Sequence, residues 1–177
     1  MSSFNISTRY AKAFMEFAES KNSLEQASDD MIMLEDTLSK SKDLKIVLKS
    51  PVISMDKKES IIKEIFAEKV DPLTLDFILF VNKKNRENLL FDISKRYNEI
   101  RNIKLNRVEA EVVSSVDFSN EQKNLMLQEL KALSNKEVIP SFKKDETLIG
   151  GFTVKINDTV IDASVKQQLK KLRKSLV

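Results

Sequence analysis

The two glycines of this 177-residue chain are adjacent, at positions 150 and 151, and the residues after them alternate between apolar and polar. Glycine is favoured where the backbone needs a positive φ or where another segment approaches closely. Residues 152–156 place their apolar side chains on one face, which predicts a half-buried strand. Asn157-Asp158 then predicts a tight turn, and residues 160–161 a short returning strand. The chain therefore needs a sheet here, which limits the folds that it can adopt.

A glycine pair also suggests a phosphate-binding loop. Such a loop leads into a helix and carries a Lys-Ser/Thr pair or a third glycine at fixed spacing. The pair at 150–151 leads into a strand and has neither feature. A structural role, as a bulge or turn at the start of a strand, is the favoured interpretation.

The composition argues against most catalytic chemistry. The chain has no cysteine and no histidine, so disulfides, thiolate chemistry and the usual neutral-pH base are excluded. No carboxylate constellation and no cofactor or metal motif stands out, so no cofactor is expected. With 30 basic and 27 acidic residues, the net charge of +3 is too small to indicate a nucleic-acid partner by itself. A binding or structural protein is predicted.

The first hundred residues follow the 3.6-residue period of amphipathic helices, and six helices are predicted there. The predicted buried stripe of the first helix consists of Tyr10, Ala13, Phe14, Phe17 and Ala18. The fifth helix begins at Asp71-Pro72, a cap followed by proline at the first helical position, and is apolar nearly all round over residues 73–81. These two helices have more apolar surface than one packing face needs. The surplus indicates either packing between two neighbours or a groove for a partner helix.

Near residue 105 the period changes from 3.6 to 2, which predicts a domain boundary. Strands are predicted near residues 108–116 and 138–142, the second at a sheet edge because it contains Pro140. Ser119 and Gln122 form a predicted capping box for a helix that has its inward side chains at Met126, Leu127, Leu130 and Leu133. The predicted fold is mainly α, with an N-terminal six-helix bundle over residues 1–105 and a small α+β domain over residues 106–177.

The last helix combines a leucine-rich stripe with a basic surface. The stripe consists of Val165, Leu169, Leu172 and Leu176, and the basic residues are Lys166, Lys170, Lys171, Arg173 and Lys174. A solvated polar face is the simplest interpretation, and contact with a nucleic acid or a membrane is the alternative. No aromatic residues alternate with the basic ones, as stacking on single-stranded nucleic acid would require.

Three stretches resemble the delta subunit of bacterial rotary ATP synthases, the counterpart of the mitochondrial oligomycin sensitivity-conferring protein. Residues 9–14, Arg-Tyr-Ala-Lys-Ala-Phe, are similar to the family's opening helix, and residues 82–90 to the junction of its fifth and sixth helices. Residues 148–173, with Leu-Ile-Gly-Gly-Phe at their start, are similar to its C-terminal signature. Asn157 and Ala163 stand where the family often has glycine, which affects loop geometry only.

The resemblance implies a non-catalytic stator subunit on the cytoplasmic face of the bacterial membrane, attached to the membrane only through the complex. In that family a groove between the first and fifth helices binds the N-terminal helix of an alpha subunit, and the C-terminal domain binds the b subunits of the peripheral stalk. The residues predicted for the groove are Tyr10, Ala13, Phe17, Phe77, Phe80 and Val81, with Lys84 at its rim. The residues predicted for the stalk contact are Leu172 and Leu176.

Two other functions remain open from the residues alone. A helical RNA-binding or transcription-accessory protein would show RNA affinity that falls steeply with salt. A carboxylate-based enzyme would need a pocket with paired acids of shifted pKa, and no motif supports one. No apolar run is long enough to span a bilayer and no signal peptide is visible, which favours a bacterial cytoplasmic location.

Overall fold

The structure is a computed structural model that describes residues 3–156 and 159–175. Within these residues lie eight α-helices, one 3-10 turn and four strands. The chain divides into two compact units, Met1–Arg101 and Asn102–Val177, here called the helical unit and the α+β unit. The protein is mainly α with a C-terminal α+β part, as the sequence predicts.

Over its described residues the first unit contains six α-helices, and side-chain caps begin two of them, α3 and α5. They are α1 Ser3–Ser20, α2 Leu24–Lys40, α3 Lys42–Lys49, α4 Met55–Phe66, α5 Pro72–Lys83 and α6 Leu90–Lys104, with a 3-10 turn over Glu87–Leu89. The side chain of Ser41 accepts a hydrogen bond from the Leu44 amide at 3.2 Å and begins α3. Asn22 and Asn85 adopt a positive φ of 54° beyond the ends of α1 and α5, a conformation that asparagine tolerates.

Aromatic rings and leucines fill the core of the helical unit. Phe14 of α1 stacks on Phe77 of α5 with ring centroids 4.2 Å apart, and it also contacts Tyr97 at 5.7 Å. Tyr97 is fully buried, and its hydroxyl lies 3.2 Å from the Ser28 hydroxyl. Burial raises the pKa of Tyr97, although the hydrogen bond with Ser28 opposes the shift. The core thus joins α1, α2, α5 and α6.

The predicted stripe of α1 is wrong in part. The residues of α1 that are buried are Ser7, Ala11, Phe14, Met15 and Ala18. Tyr10 is only half-buried, and Ala13 and Phe17 are exposed. Because α1 carries apolar residues on two adjacent faces, its periodicity does not determine which face packs inward.

One ion pair is buried inside the helical unit. The Lys58 ammonium donates hydrogen bonds to the Glu87 carboxylate at 2.6 Å and to the Leu48 carbonyl at 3.1 Å. Both charged side chains are nearly inaccessible to solvent. Removing either partner would leave an uncompensated buried charge, so this pair ties α4 to the 3-10 turn before α6.

The α+β unit is a four-stranded sheet with helices α7 and α8. Its elements are β1 Arg107–Ser114, α7 Asn120–Ser134, β2 Glu137–Lys144, β3 Phe152–Ile156, β4 Thr159–Asp162 and α8 Val165–Ser175. The strand order is β2-β1-β3-β4, with β1 and β2 parallel and the other pairs antiparallel. Pro140 lies on β2, at one edge of the sheet, which confirms its predicted edge position.

The capping box of α7 is present as predicted. The Ser119 side chain accepts a hydrogen bond from the Gln122 amide at 3.2 Å, and the Gln122 side chain accepts one from the Ser119 amide at 2.9 Å. Leu130 is buried against the sheet, but Leu133 is 67% exposed, so its predicted inward position is wrong. The predicted turn at Asn157-Asp158 lies outside the described residues.

Of the two glycines, Gly151 meets the backbone demands expected from the sequence. Gly151 has a φ of +80°, and a Cβ atom there would lie 2.5 Å from the Ala163 carbonyl oxygen. A Cβ atom on Gly150 would meet only the side chain of Val165, at 3.0 Å. Gly151 therefore combines positive φ with close approach of the segment that leads into α8.

Candidate partner-binding site

An apolar cleft of about 840 Å³ lies between α1 and α5 of the helical unit. The lining residues are Arg9, Tyr10, Ala13, Phe14, Phe17, Asp71, Pro72, Leu73, Asp76, Phe77 and Phe80. Aromatic rings dominate the floor and walls, and three charged side chains lie among them. We call this feature the α1–α5 cleft.

The two walls of the α1–α5 cleft run in opposite directions. Tyr10 lies against Phe80 with ring centroids 6.5 Å apart, while Phe14, further along α1, stacks on the earlier residue Phe77. Phe17 therefore lies towards the start of α5, near Leu73. This antiparallel arrangement gives the cleft two distinct ends.

A hydrogen bond to a buried carboxylate holds the start of α5 at one end of the cleft. Asp30 of α2 is 1% exposed, and its carboxylate accepts a hydrogen bond from the Asp71 amide at 2.9 Å. The Asp71 side chain in turn accepts one from the Leu73 amide at 2.9 Å, and Pro72 occupies the first helical turn as predicted. The wall formed by α5 is therefore anchored to α2 before any partner binds.

The structure brings most of the predicted groove residues together. Tyr10, Ala13, Phe17, Phe77 and Phe80 all line the α1–α5 cleft. Phe17 and Phe80 are each about half exposed, at 48% and 47%.

One predicted groove residue, Val81, lies elsewhere, and Lys84, predicted for the rim, lies beside the cleft. Val81 is fully buried in the helical core and does not line the cleft. Lys84 is outside the lining, but its ammonium lies 5.4 Å from the Phe80 ring centroid, which places its charge at the rim.

Sequence reasoning missed several residues of the cleft. The missed lining residues are Arg9, Phe14, Asp71, Pro72, Leu73 and Asp76. Asp76 is the one charged residue among residues 73–81, and this charge was the available signal for the side of α5 that faces solvent. Arg9 precedes Tyr10 in the motif at residues 9–14, and its position gave no separate indication of the cleft.

The α+β unit has a smaller apolar cleft of about 430 Å³ between α7 and strands β3 and β4. Leu125, Leu133 and Ile161 line it and are substantially exposed. Of the residues predicted for the stalk contact, Leu172 lies on α8 and is 59% exposed, and Leu176 is outside the described residues. Apolar surface that remains exposed in this way is typical of a protein-binding region.

The described residues show no other kind of site. In residues 3–156 and 159–175, no group of three or more acidic, histidine or cysteine side chains is placed to hold a metal ion. Over the same residues, no helix combines the length and apolarity that crossing a bilayer requires.

Comparisons with known proteins agree on one family. Residues 6–176 match the family model described as ATP synthase delta (OSCP) subunit. The "ATP synthase subunit delta" of Chlorobaculum tepidum is 40% identical over 177 residues, covering 100% of this chain and 98% of that protein. The protein of the same name from Chlorobium phaeovibrioides is 38% identical over the same length.

A solved structure shares the fold. A chain in the cryo-EM structure of the Toxoplasma gondii mitochondrial ATP synthase hexamer matches with a TM-score of 0.73 and 20% identity. The match covers 96% of each chain. At this identity the likeness concerns the fold alone.

Proposed function

The chain belongs to the ATP synthase delta (OSCP) subunit family, and from this we propose that it is a stator subunit of a rotary proton-translocating ATP synthase. It is a structural subunit and not a catalyst. In this role it links the catalytic head to the peripheral stalk, so that the head resists the torque of the rotor during ATP synthesis. It works at the cytoplasmic face of a bacterial membrane and contacts the membrane only through the complex.

The α1–α5 cleft carries this proposal. Helices α1–α6 act as a six-helix bundle whose cleft receives the amphipathic N-terminal helix of an alpha subunit. An amphipathic helix binds a groove through apolar anchors spaced at i, i+3/i+4 and i+7. The half-exposed rings of Phe17 and Phe80 offer surface for such anchors. Covering each ring contributes on the order of 1 kcal/mol, before the entropic cost of association.

The α+β unit provides the second contact, with the b subunits of the peripheral stalk. Its support comes from the apolar cleft beside α7 and from the exposed leucines of α8, including Leu172. Two separate apolar surfaces on two separate units suit a protein that joins two partners. Leu176 belongs to the same proposed contact by sequence.

Calorimetric titration of the full chain with a peptide of the alpha-subunit N-terminal segment from the same organism tests the head contact. We expect one-to-one binding with a negative heat-capacity change, since apolar surface is buried. Absence of binding would contradict the role of the cleft. RNA titration at two salt concentrations would then test the RNA-binding alternative.

A blocking substitution locates the binding site. Ala13 is exposed in the α1–α5 cleft, so Ala13→Trp fills space that the partner must enter without disturbing the core. We expect the alpha-subunit peptide to bind at least roughly tenfold more weakly, because a steric clash opposes it. Ala67→Trp is the matched control, since Ala67 is exposed and lies outside the cleft. Equal affinity for both variants would remove the cleft from the proposal.

A further inference from the structure

We propose that the α1–α5 cleft dictates the direction of its partner helix, which carries acidic side chains in its first turn and basic ones in its last and runs parallel to α1. This inference rests on the function proposed above, because it takes the cleft as a helix-binding groove. It concerns which end of the partner meets which end of the cleft.

The charges of the cleft are unevenly distributed along its length. Arg9 precedes Tyr10, whose ring lies against Phe80, and the Lys84 ammonium lies 5.4 Å from the centroid of the same Phe80 ring. One end of the cleft, here called the basic end, therefore combines a guanidinium and an ammonium. No carboxylate lines the cleft at this end.

The other half of the cleft is acidic. Asp71, the N-cap of α5, and Asp76, five residues further on and near the middle of the helix, both line the cleft. Lys21 offsets part of this charge, since its ammonium lies 5.8 Å from the centroid of the Phe17 ring. Two carboxylates against one ammonium still leave this half, here called the acidic end, negative.

The properties of a stable helix decide how it fits these two ends. Acidic side chains stabilise the first turn of a helix and basic ones the last turn, because they offset its macrodipole. The full charge of each side chain exceeds the half charge of the helix terminus. The acidic first turn therefore faces the basic end at Arg9, and the basic last turn faces the acidic end at Asp71. A helix placed in this way has the same direction as α1.

The length of the cleft limits the partner. From Asp71 to Lys84, α5 rises about 20 Å at 1.5 Å per residue. A partner helix of about 13 residues spans this distance. The side chains of its first turn and of its last turn can then contact opposite ends of the cleft at the same time. Like charges at either end disfavour the opposite direction, and such charge patterns contribute to specificity more than to affinity.

Paramagnetic labelling of the alpha-subunit N-terminal peptide tests the direction. A nitroxide is attached to either end of the peptide, and the broadening of backbone amide signals is measured on the full-length chain. With the label at the peptide's N-terminus, we expect signals near Arg9 and Lys84 to broaden. With the label at its C-terminus, those near Phe17 and Asp71 should broaden. The reverse pattern overturns the proposed direction but leaves the helix-binding function in place, whereas no binding overturns the function itself.

A charge exchange tests whether electrostatics sets this direction. The double variant Asp76→Lys with Lys84→Glu keeps the net charge and alters two exposed positions, one on α5 and one directly after it. We expect its affinity for the peptide to fall by about tenfold at about 10 mM salt, and the loss to shrink near 1 M salt, where screening is strong. Exchanging the exposed pair Asp36 and Lys40 on α2, outside the cleft, should change nothing. Equal losses in both double variants, or no loss in either, would overturn the electrostatic basis.

Discussion

Nineteen hydrophobic residues form the buried core of the helical unit and six form that of the α+β unit, counted over the residues that the structure describes. The helical unit spans 1–101 and the α+β unit 102–177, so the difference in core size exceeds the difference in length. In the helical unit, helices pack on several sides of a shared core. In the α+β unit, α7 leaves an apolar cleft open beside β3 and β4.

The comparison indicates different sources of stability. A domain of about 70–80 residues rarely obtains more than about 3–5 kcal/mol from a single core. The leucines that remain largely exposed on α7 and α8 contribute less to the folding of the α+β unit than buried leucines would. We therefore expect the helical unit to be the more stable of the two. Removing the same buried side chain from each core should unfold the α+β unit but not the helical unit.

The largest expected effect comes from Leu130→Ala. Leu130 is 2% exposed and lies in the core of the α+β unit, and removal of a buried leucine costs about 2–5 kcal/mol. That loss is comparable with the whole stability expected for this unit, so we expect the sheet to unfold near room temperature while the helices of the first unit persist. Two-dimensional amide NMR spectra would show loss of dispersed strand signals only.

Leu34→Ala is the matched substitution in the helical unit. Leu34 is fully buried, so the same atoms are removed from the larger core. We expect a lower melting temperature with both units still folded. If Leu34→Ala unfolded its unit while Leu130→Ala did not, the proposed order of stability would be reversed.

A smaller effect is expected from Gly151→Ala. The φ of +80° is strained for alanine, and its Cβ would lie 2.5 Å from the Ala163 carbonyl oxygen, a backbone atom. We expect a loss of about 1–3 kcal/mol confined to the α+β unit, measurable by urea unfolding followed by circular dichroism.

Gly150→Ala provides the matched comparison for that substitution. Its Cβ would meet only a methyl group of Val165, at 3.0 Å, and this side chain can move. We expect a clearly smaller loss than for Gly151→Ala. Equal losses would show that positive φ and backbone approach are not what this turn requires.

The smallest effect concerns the titration of Tyr97, which lies in the helical unit. Both tyrosines of the chain lie there, and burial raises the pKa of Tyr97 above its ordinary value of 10.0. The folded state therefore holds this proton more tightly than the unfolded state. Its contribution to stability is complete below about pH 10 and is lost as pH rises through the raised pKa.

Urea unfolding at about pH 8 and about pH 11 checks this expectation. The wild-type chain should lose more stability between the two pH values than Tyr97→Phe. In that variant the Ser28 hydroxyl keeps its hydrogen bond to the Leu24 carbonyl, at 2.6 Å in the structure. The same pH dependence in both proteins would exclude Tyr97 as its source.

Local patterns predicted the elements of this fold more reliably than they predicted its packing. The capping box at Ser119, the cap at Asp71 and the strained glycine at 151 depend on neighbouring residues, and each is present. The buried face of α1 and the exposure of Leu133 depend on elements distant in sequence. Periodicity shows that a side chain is apolar, but it does not show which neighbour covers it.

The candidate site shows the same limit. The prediction that the first and fifth helices pair came from the family resemblance. No residue pattern in either helix indicates which helix packs beside it. Val81 and Phe80 are adjacent in a helix that is apolar nearly all round, and only packing determines that Phe80 faces the cleft. Asp30 and Lys58 have hydrogen-bond partners 41 and 29 positions away in the chain. Local sequence patterns therefore could not predict these buried contacts.

The two walls of the α1–α5 cleft are separated in the chain by residues 21–71. At roughly 5–20 residues per second, a ribosome needs several seconds between releasing α1 and releasing α5. During that interval the apolar flank of α1 is present but the cleft is not. The proposed partner helix therefore has no complete binding site on a nascent chain until α5 has also been released.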